Sequence, residues 1–277
     1  MKARDRLQGL VAGLLAGIAG GLFGVGGGLV MIPILTGFFR LTQHQAHGTS
    51  LAVIGATAIS ATIVYGAFAN IAWATAGFVA IGSLFSARLG ARWASRLPAR
   101  RLRRAFAVFL ALVALRLLWE APTVTAHALP SRGVELAVSL LLGLGAGFLA
   151  GVMGVGGGII VVPVLTILFG MSQQAAQGTS LAIMLVTAPS AALEHSRHGN
   201  VLWRLVPMLA IGAVVGAPLA SWSAQALPHS WLARGFALFL LATAIHTLTT
   251  ASTTGPRPAE GAPGGPPGQA STGHAGP

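Results

Sequence analysis

The chain has 277 residues, 54% of them hydrophobic and 8% charged, with 17 basic side chains against five acids and no cysteine. A soluble domain carries about 25% charged residues, so a surface mostly facing water is excluded and an all-α polytopic membrane protein is expected. A disulfide framework and thiol chemistry are excluded with the cysteines.

In chain order, the opening "MKARDRLQGLVAGLLAGIAGG" has the basic start, apolar run and small residues of a signal peptide. A copy of that stretch recurs in mid-chain, which no signal peptide would show, so Leu7–Leu22 is read as a first transmembrane segment. Four more apolar pieces come next, Leu29–Leu41, His47–Phe68, Ile71–Ala94 and Leu102–Trp119. Most approach the ~20 residues needed to cross a bilayer, but Leu29–Leu41 is short, is opened by "GVGGG" and contains Pro33. A polar linker, 120–134, leads to further apolar pieces at Leu136–Val152, Thr179–Leu193, Leu205–Ala224 and Phe236–Leu248. The tail, 250–277, is rich in Pro and Gly with little apolar surface to offset ordering entropy. It is read as a disordered cytoplasmic tail.

The chain is one unit written twice. "GVGGG" at Gly24–Gly28 recurs at Gly154–Gly158, an offset of 130 residues, and "GTSLA" at Gly48–Ala52 recurs at Gly178–Ala182 in the same register. The offset also pairs Pro33 with Pro163, Gln43 with Gln173, Asn70 with Asn200, Trp73 with Trp203 and Phe106 with Phe236. The halves are 5–119 and 135–249, each expected to be a glycine-interrupted hairpin followed by three transmembrane helices. That arrangement crosses the membrane an odd number of times, so the second half is expected upside down. Charge agrees. Arg88, Arg92, Arg96, Arg100, Arg101, Arg103 and Arg104 crowd one connection, while its counterpart, 218–234, holds only Arg234. Lys and Arg resist translocation, which puts the arginine-rich connection and both termini in the cytoplasm and the linker outside. The same bias accounts for the net charge of +12 without a nucleic-acid partner.

Glycine runs at matching positions of an inverted repeat mark the substrate site of a transporter. A helix broken inside the membrane exposes N–H groups that favour an anion, and glycine lets a ligand lie against the backbone. The candidate substrate residues are therefore Gly26, Gly27 and Gly28 with Gly156, Gly157 and Gly158. Thr49, Ser50, Thr179 and Ser180 of the two "GTS" motifs, which open the next spans, are the second group; as helix caps they would be structural instead. His47 breaks the repeat's symmetry opposite Gln177 and is the candidate proton relay. Asn70 and Asn200 read as turn or cap residues. Of the acids only Glu194 lies against an apolar span, which disfavours cation transport. The pairs His44/His47 and His195/His198 have a helical metal spacing without nearby carboxylates or cysteines, so no metal and no other cofactor is expected. Gly9, Gly13, Gly17 and Gly21, matched by Gly143, Gly147 and Gly151, are spaced for close helix packing within one chain or between copies of a homo-oligomer.

The paired "GxGGG" with a proline five residues on, followed by "GTS", resembles the TauE/SafE sulfite exporter family of membrane permeases over nearly the whole chain apart from the tail. The resemblance implies transport of small sulfur-containing anions, such as sulfite or organosulfonates, across the bacterial inner membrane. The expected function is a secondary permease, not an enzyme, whose partners are a small anion and the lipid bilayer. An anion channel on the same scaffold and a metal-dependent intramembrane enzyme built on the His pairs are the rival readings.

Overall fold

A computed structural model describes residues 3–94, 99–119, 131–153 and 157–253. Gly156, most of the linker and nearly all of the tail lie outside them. The described residues form helices α1 (Ala3–Phe23), α2 (Gly28–Gly37), α3 (Gln43–Ala67), α4 (Trp73–Ala94) and α5 (Ala99–Trp119). They are followed by α6 (Arg132–Met153), α7 (Gly158–Ile167), α8 (Gln173–Arg197), α9 (Val206–Ala226) and α10 (His229–Thr253). Thus α6 starts inside the expected linker, and α10 runs a short way into the expected tail. Among these residues α1, α3, α6, α8, α9 and α10 are long and apolar enough to cross a membrane. The apolar parts of α4 and α5 are shorter, Trp73–Ala87 and Ala107–Trp119, because each helix continues into the arginine-rich connection.

The glycine spacing decides which helices pair. Gly13, Gly17 and Gly21 of α1 lie on the backbone of Leu209, Ala213 and Ala217 of α9; a Cβ on Gly13 would stand 2.0 Å from the Leu209 carbonyl oxygen. Gly143 and Gly147 of α6 lie likewise on Val79 and Ser83 of α4. Both registers advance together, so α1 runs parallel to α9 and α6 to α4. The stripes therefore serve contacts within the chain. In lipid, helices associate through such close packing rather than through the hydrophobic effect.

α2 doubles back on α1. Gly27 faces Ala16, and Met31, Ile32 and Leu35 share a buried cluster with Ala12 and Ala16 of α1 and with Ala46 and Val53 of α3. At 10 residues, α2 is about 15 Å long, half the hydrocarbon thickness; α7 has the same length. α3 then starts from the side on which α1 begins. α3 and α8 cross in opposite directions: Gly48 meets the carbonyl of Asn200, just past α8, and Gly178 meets that of Asn70, just past α3.

The starts of the long central helices differ from the sequence expectation. α3 is capped by Thr42 in a reciprocal box with Gln45, and α8 by Ser172, whose hydroxyl accepts from the Ala175 N–H. The "GTS" motifs sit about two turns further in, because a Thr or Ser just before a Gln-rich turn is the better cap. Asn70 and Asn200 do close turns, their N–H groups donating to Tyr65 O and His195 O.

Outward faces are apolar, with Ile63, Phe85, Leu141 and Leu219 all exposed. Trp73, Trp119, Trp222 and Trp231 are exposed near the helix ends at the face opposite the start of α1, the placement of an interfacial aromatic belt.

Replacing Gly17 by Val should destabilise the fold by about 1–3 kcal/mol through overpacking, read as a lower melting temperature in detergent. Gly77→Ala, where no atom lies within 4 Å of an added Cβ, should leave that temperature essentially unchanged.

Candidate substrate site

The first glycine run is a turn, not a stretch of helix. Gly24, Gly26 and Gly27 have φ of 67°, 72° and 81°, a left-handed region that side chains rarely enter. α1 ends there and α2 starts afresh. On the other side Gly157 precedes α7 with φ −43°, so the two turns are not copies in detail. Both, however, lead into a helix without a cap. Neither α2 nor α7 has a side-chain cap, whereas α3 and α8 do. No side chain caps the opening N–H donors of α2 and α7; the third of each, on Val30 and Ile160, turns back onto Gly27 O and Gly157 O.

These two helix starts come together. The Gly24 carbonyl accepts a hydrogen bond from the Ser180 hydroxyl at 2.7 Å and lies 3.0 Å from where a Cβ on Gly158 would stand. Ser50 and Ser180 hold matching places beside the starts of α2 and α7: their hydroxyl oxygens lie 3.3 Å and 2.8 Å from the built Cβ positions of Gly28 and Gly158. Ser50 Oγ is buried and has no hydrogen-bond partner, a free hydroxyl beside a helix start that no side chain caps.

Ile54 and Met184, related by the same 130-residue offset, close over the two starts. Ile54 packs on Gly26 and Gly28, while Met184 reaches Gly26 with its sulfur and Gly158 with its terminal methyl. Sequence reasoning missed both. The signal was there, since each lies four residues after a "GTS" serine and so on the same helix face.

A cavity of about 380 Å³ extends from this junction along α8. Gly157, Gly158 and Ser180 line its inner end, and Glu194 and His195 its far end. Ser180 and His195 are about 22 Å apart at 1.5 Å per residue. Leu51, Ile54, Leu84, Phe85 and Val161 make the wall mostly apolar, and Ser83, Thr187 and Ser190 add hydroxyls. The far end lies on the face where α1 begins, because His195 packs against Gly48 near the start of α3.

The expected residues divide accordingly. Gly157, Gly158 and Ser180 line the cavity; Gly26, Gly27, Gly28 and Ser50 stand behind it around the first turn. Thr49 and Thr179 are engaged elsewhere. Thr49 Oγ1 accepts from the Leu202 N–H and Thr179 Oγ1 from the Ala72 N–H, each at 3.0 Å. Each threonine thus ties its helix to the loop just beyond the opposite long helix. His47 lies outside the cavity wall, half-buried, its Nε2 at 3.2 Å from Gln43 Nε2. Among the described residues no group of three or more His, Asp or Glu is arranged to hold a metal ion.

A family model for the sulfite exporter TauE/SafE matches residues 1–117 and 139–276. The chain belongs to the TauE/SafE family. Over 238 residues it is 29% identical to a probable membrane transporter protein, YunE, of Bacillus subtilis, covering 76% of this chain and 86% of that one. A probable membrane transporter protein of Xylella fastidiosa is 29% identical over 245 residues, 86% of this chain and 92% of its own. The archaeal relative MJ0441 of Methanocaldococcus jannaschii, also a probable membrane transporter protein, is 32% identical over 162 residues, 56% of this chain and 60% of its own. No solved structure matches. The glycine turns and the cavity are therefore parts of a multi-pass membrane protein from a transporter family.

Thr49→Val and Thr179→Val should each lower stability by about 1–3 kcal/mol, because a buried N–H loses its acceptor. Thermal unfolding in detergent, with the Ser variants restoring most of the loss, checks this.

Proposed function

We propose that this TauE/SafE protein is a secondary permease that carries a small organic anion by alternating access between two inverted repeats, 5–119 and 135–249. One observation carries the reading: two uncapped half-length helices, one from each copy, start beside each other in the interior. Their N-terminal dipoles favour negative charge, and lipid cannot satisfy their donors. The antiparallel crossing of α3 and α8, which are copies of one another, supports opposite orientation of the halves.

Orientation in the bacterial inner membrane rests on the basic residues. Arg4 and Arg6 at the start of α1, Arg88 and Arg92 in the last turns of α4, Arg100, Arg101, Arg103 and Arg104 in the first turns of α5, and Arg197 and Arg204 around the end of α8 all fall on one face of the helix arrangement. That face is cytoplasmic. The cavity leading to Glu194 and His195 is then an inward-facing vestibule.

The substrate is a sulfonate or a related oxyanion with a carbon skeleton. Its head group enters at the Gly157–Gly158 end of the cavity and, as Ile54 and Met184 give way, meets the Gly26–Gly28 end and the Ser50 hydroxyl, while its apolar part lies against Leu51 and Ile54. A volume of about 380 Å³ falls in the range of small-organic-molecule sites, roughly 300–1,000 Å³, and exceeds what bare sulfite requires. The family name's sulfite is the smaller alternative on the same site.

Reconstituted protein should show saturable uptake of a short alkanesulfonate, stimulated by the same anion on the far side and competed by sulfite. Ohmic current without that stimulation identifies a channel instead. Ser50→Ala should weaken apparent affinity about tenfold, since a hydrogen bond to a charged group is worth about 1.5–3 kcal/mol. Gly157→Val and Gly158→Val should abolish flux in protein that still folds, and unchanged flux in those variants removes the site assignment.

A further inference from the structure

The two ends of the α3–α8 pair carry equivalent positions with different residues. At the end away from the cavity stand Gln173, Gln177 and Tyr65; 130 residues away in register are Gln43, His47 and His195 at the other end. Gln173, Gln177 and Tyr65 are each fully buried. The Tyr65 hydroxyl lies 2.9 Å from Gly21 O and 3.0 Å from Gln177 Oε1, and both amide atoms of Gln173 and the Nε2 of Gln177 are buried without partners. At the opposite end Gln43 is exposed, His47 is half-buried and His195 lines the cavity. The α3–α8 crossing itself does not explain this difference. An added Cβ on Gly178 would stand 2.2 Å from Asn70 O and 2.9 Å from Tyr65 Cβ, and one on Gly48 would stand 2.3 Å from Asn200 O and 3.0 Å from His195 Cβ. α3 and α8 thus cross equally closely at both ends; the ends differ in the flanking helices, α9 packing more extensively on α3 than α4 does on α8, and in the side chains at the crossing.

We infer that Gln43, His47 and His195 are the inner gate of the carrier, the counterpart of the sealed outer plug Gln173–Gln177–Tyr65, and that protonation of its two histidines holds it open. The inference rests on the alternating-access reading above. When the inner side closes, these three residues take on the burial that their counterparts now have. The outer plug is uncharged and seals at any ordinary pH. The inner one contains two imidazoles, the side chain whose charge changes near neutrality, and burying two like charges side by side opposes closure.

Among the described side chains at this end, Arg6 of α1, Arg40 before α3, His44 and His47 of α3, and Arg197, His198 and Arg204 around the end of α8 are basic, and Glu194 is the acid, within reach of Arg197 at 3.3 Å and His198 at 3.6 Å. Added protons therefore meet a site already rich in basic groups. Acid on the cytoplasmic face thus favours the open inner gate and slows turnover, while neutral to alkaline pH lets it close.

The absence of cysteine permits a direct test in the full-length protein. Ser190→Cys places a single thiol in the cavity wall, labelled by a membrane-impermeant maleimide in inside-out vesicles. Its rate is compared with that in a His47→Gln/His195→Tyr background, which copies the outer plug onto the inner gate. Taking the ratio at each pH cancels the reagent's own pH dependence. At about pH 5.5 the thiol should react roughly fivefold faster with the histidines present, and at about pH 8 the ratio should fall within about twofold of unity. A ratio that does not move with pH overturns the gate. Should the double variant fail to reach the membrane, His47→Gln alone must shift the ratio in the same direction, and no shift overturns the gate equally. Labelling needs no substrate, so it separates the two claims. Lost trans-stimulation with pH-dependent labelling retained removes the carrier, while trans-stimulated exchange with pH-independent labelling removes only the gate.

Discussion

A backbone N–H or C=O group in hydrocarbon must find a partner inside the protein, and the architecture is shaped by the two places where a helix starts in the interior with no side chain to cap it. α2 and α7 begin in the interior without side-chain caps. Exposure to lipid at those points would be prohibitive, so the surrounding helices must enclose them. The enclosure is made by exchange between the halves. α1 of the first half lies along α9 of the second, and α6 of the second along α4 of the first, with glycines reducing the separation to backbone contact. Neither half carries the partner of its own first helix.

The same exchange explains the "GTS" motif. Gly48 and Gly178 let α3 and α8 approach the carbonyls of Asn200 and Asn70. Thr49 and Thr179 then accept the N–H groups of Leu202 and Ala72 on the loops beyond. Ser50 and Ser180, one residue on, turn toward the short helices. Three adjacent residues thus have three separate tasks: close approach, anchoring of the opposite loop, and presentation of a hydroxyl at the interior helix end. The threonines belong to the frame and the serines to the proposed site, a division that the motif alone does not reveal.

Much of the fold was legible because periodicity and repetition are one-dimensional signals. The apolar pieces, the break at Gly24–Gly28 and the four-residue glycine spacing all persist in the folded chain, since each records a local backbone requirement. The starts of α3 and α8 were misplaced because Thr42 and Ser172 compete with the "GTS" residues as caps, and both look alike in a string of letters. Ile54, Met184 and Tyr65 escaped notice, and His195 was read only as half of a metal-spaced pair, for a different reason. Each matters through contact with the other half, and Met184 and Tyr65 read as ordinary core residues until α3 and α8 are crossed. The pairing of Tyr65 with His195 was nevertheless implicit in the 130-residue register; what was lacking was the knowledge that the two positions occupy opposite ends of one helix pair.

Where two copies of a unit cross, their differences carry the directionality. On the proposed reading the protein is a carrier that needs two states of nearly equal free energy, because a gap of a few kcal/mol leaves the minor state at the per cent level or below. Equivalent backbone contacts at the two ends of α3 and α8 contribute nearly equally to both states. The bias then comes from the flanking helices, which pack differently on α3 and α8, and from the substitutions between copies, Gln177 for His47 and His195 for Tyr65 at the plugs, Met184 for Ile54 at the junction. The outer plug is not ideal either. Three of its amide atoms are buried without partners, and each such atom opposes burial by about 1–3 kcal/mol. A perfectly satisfied plug would hold the carrier in one state. On the proposed reading, the unpaired amide atoms of Gln173 and Gln177 keep the outer seal weak enough to open, and the two histidines let proton activity on the inner face set the opposing weight.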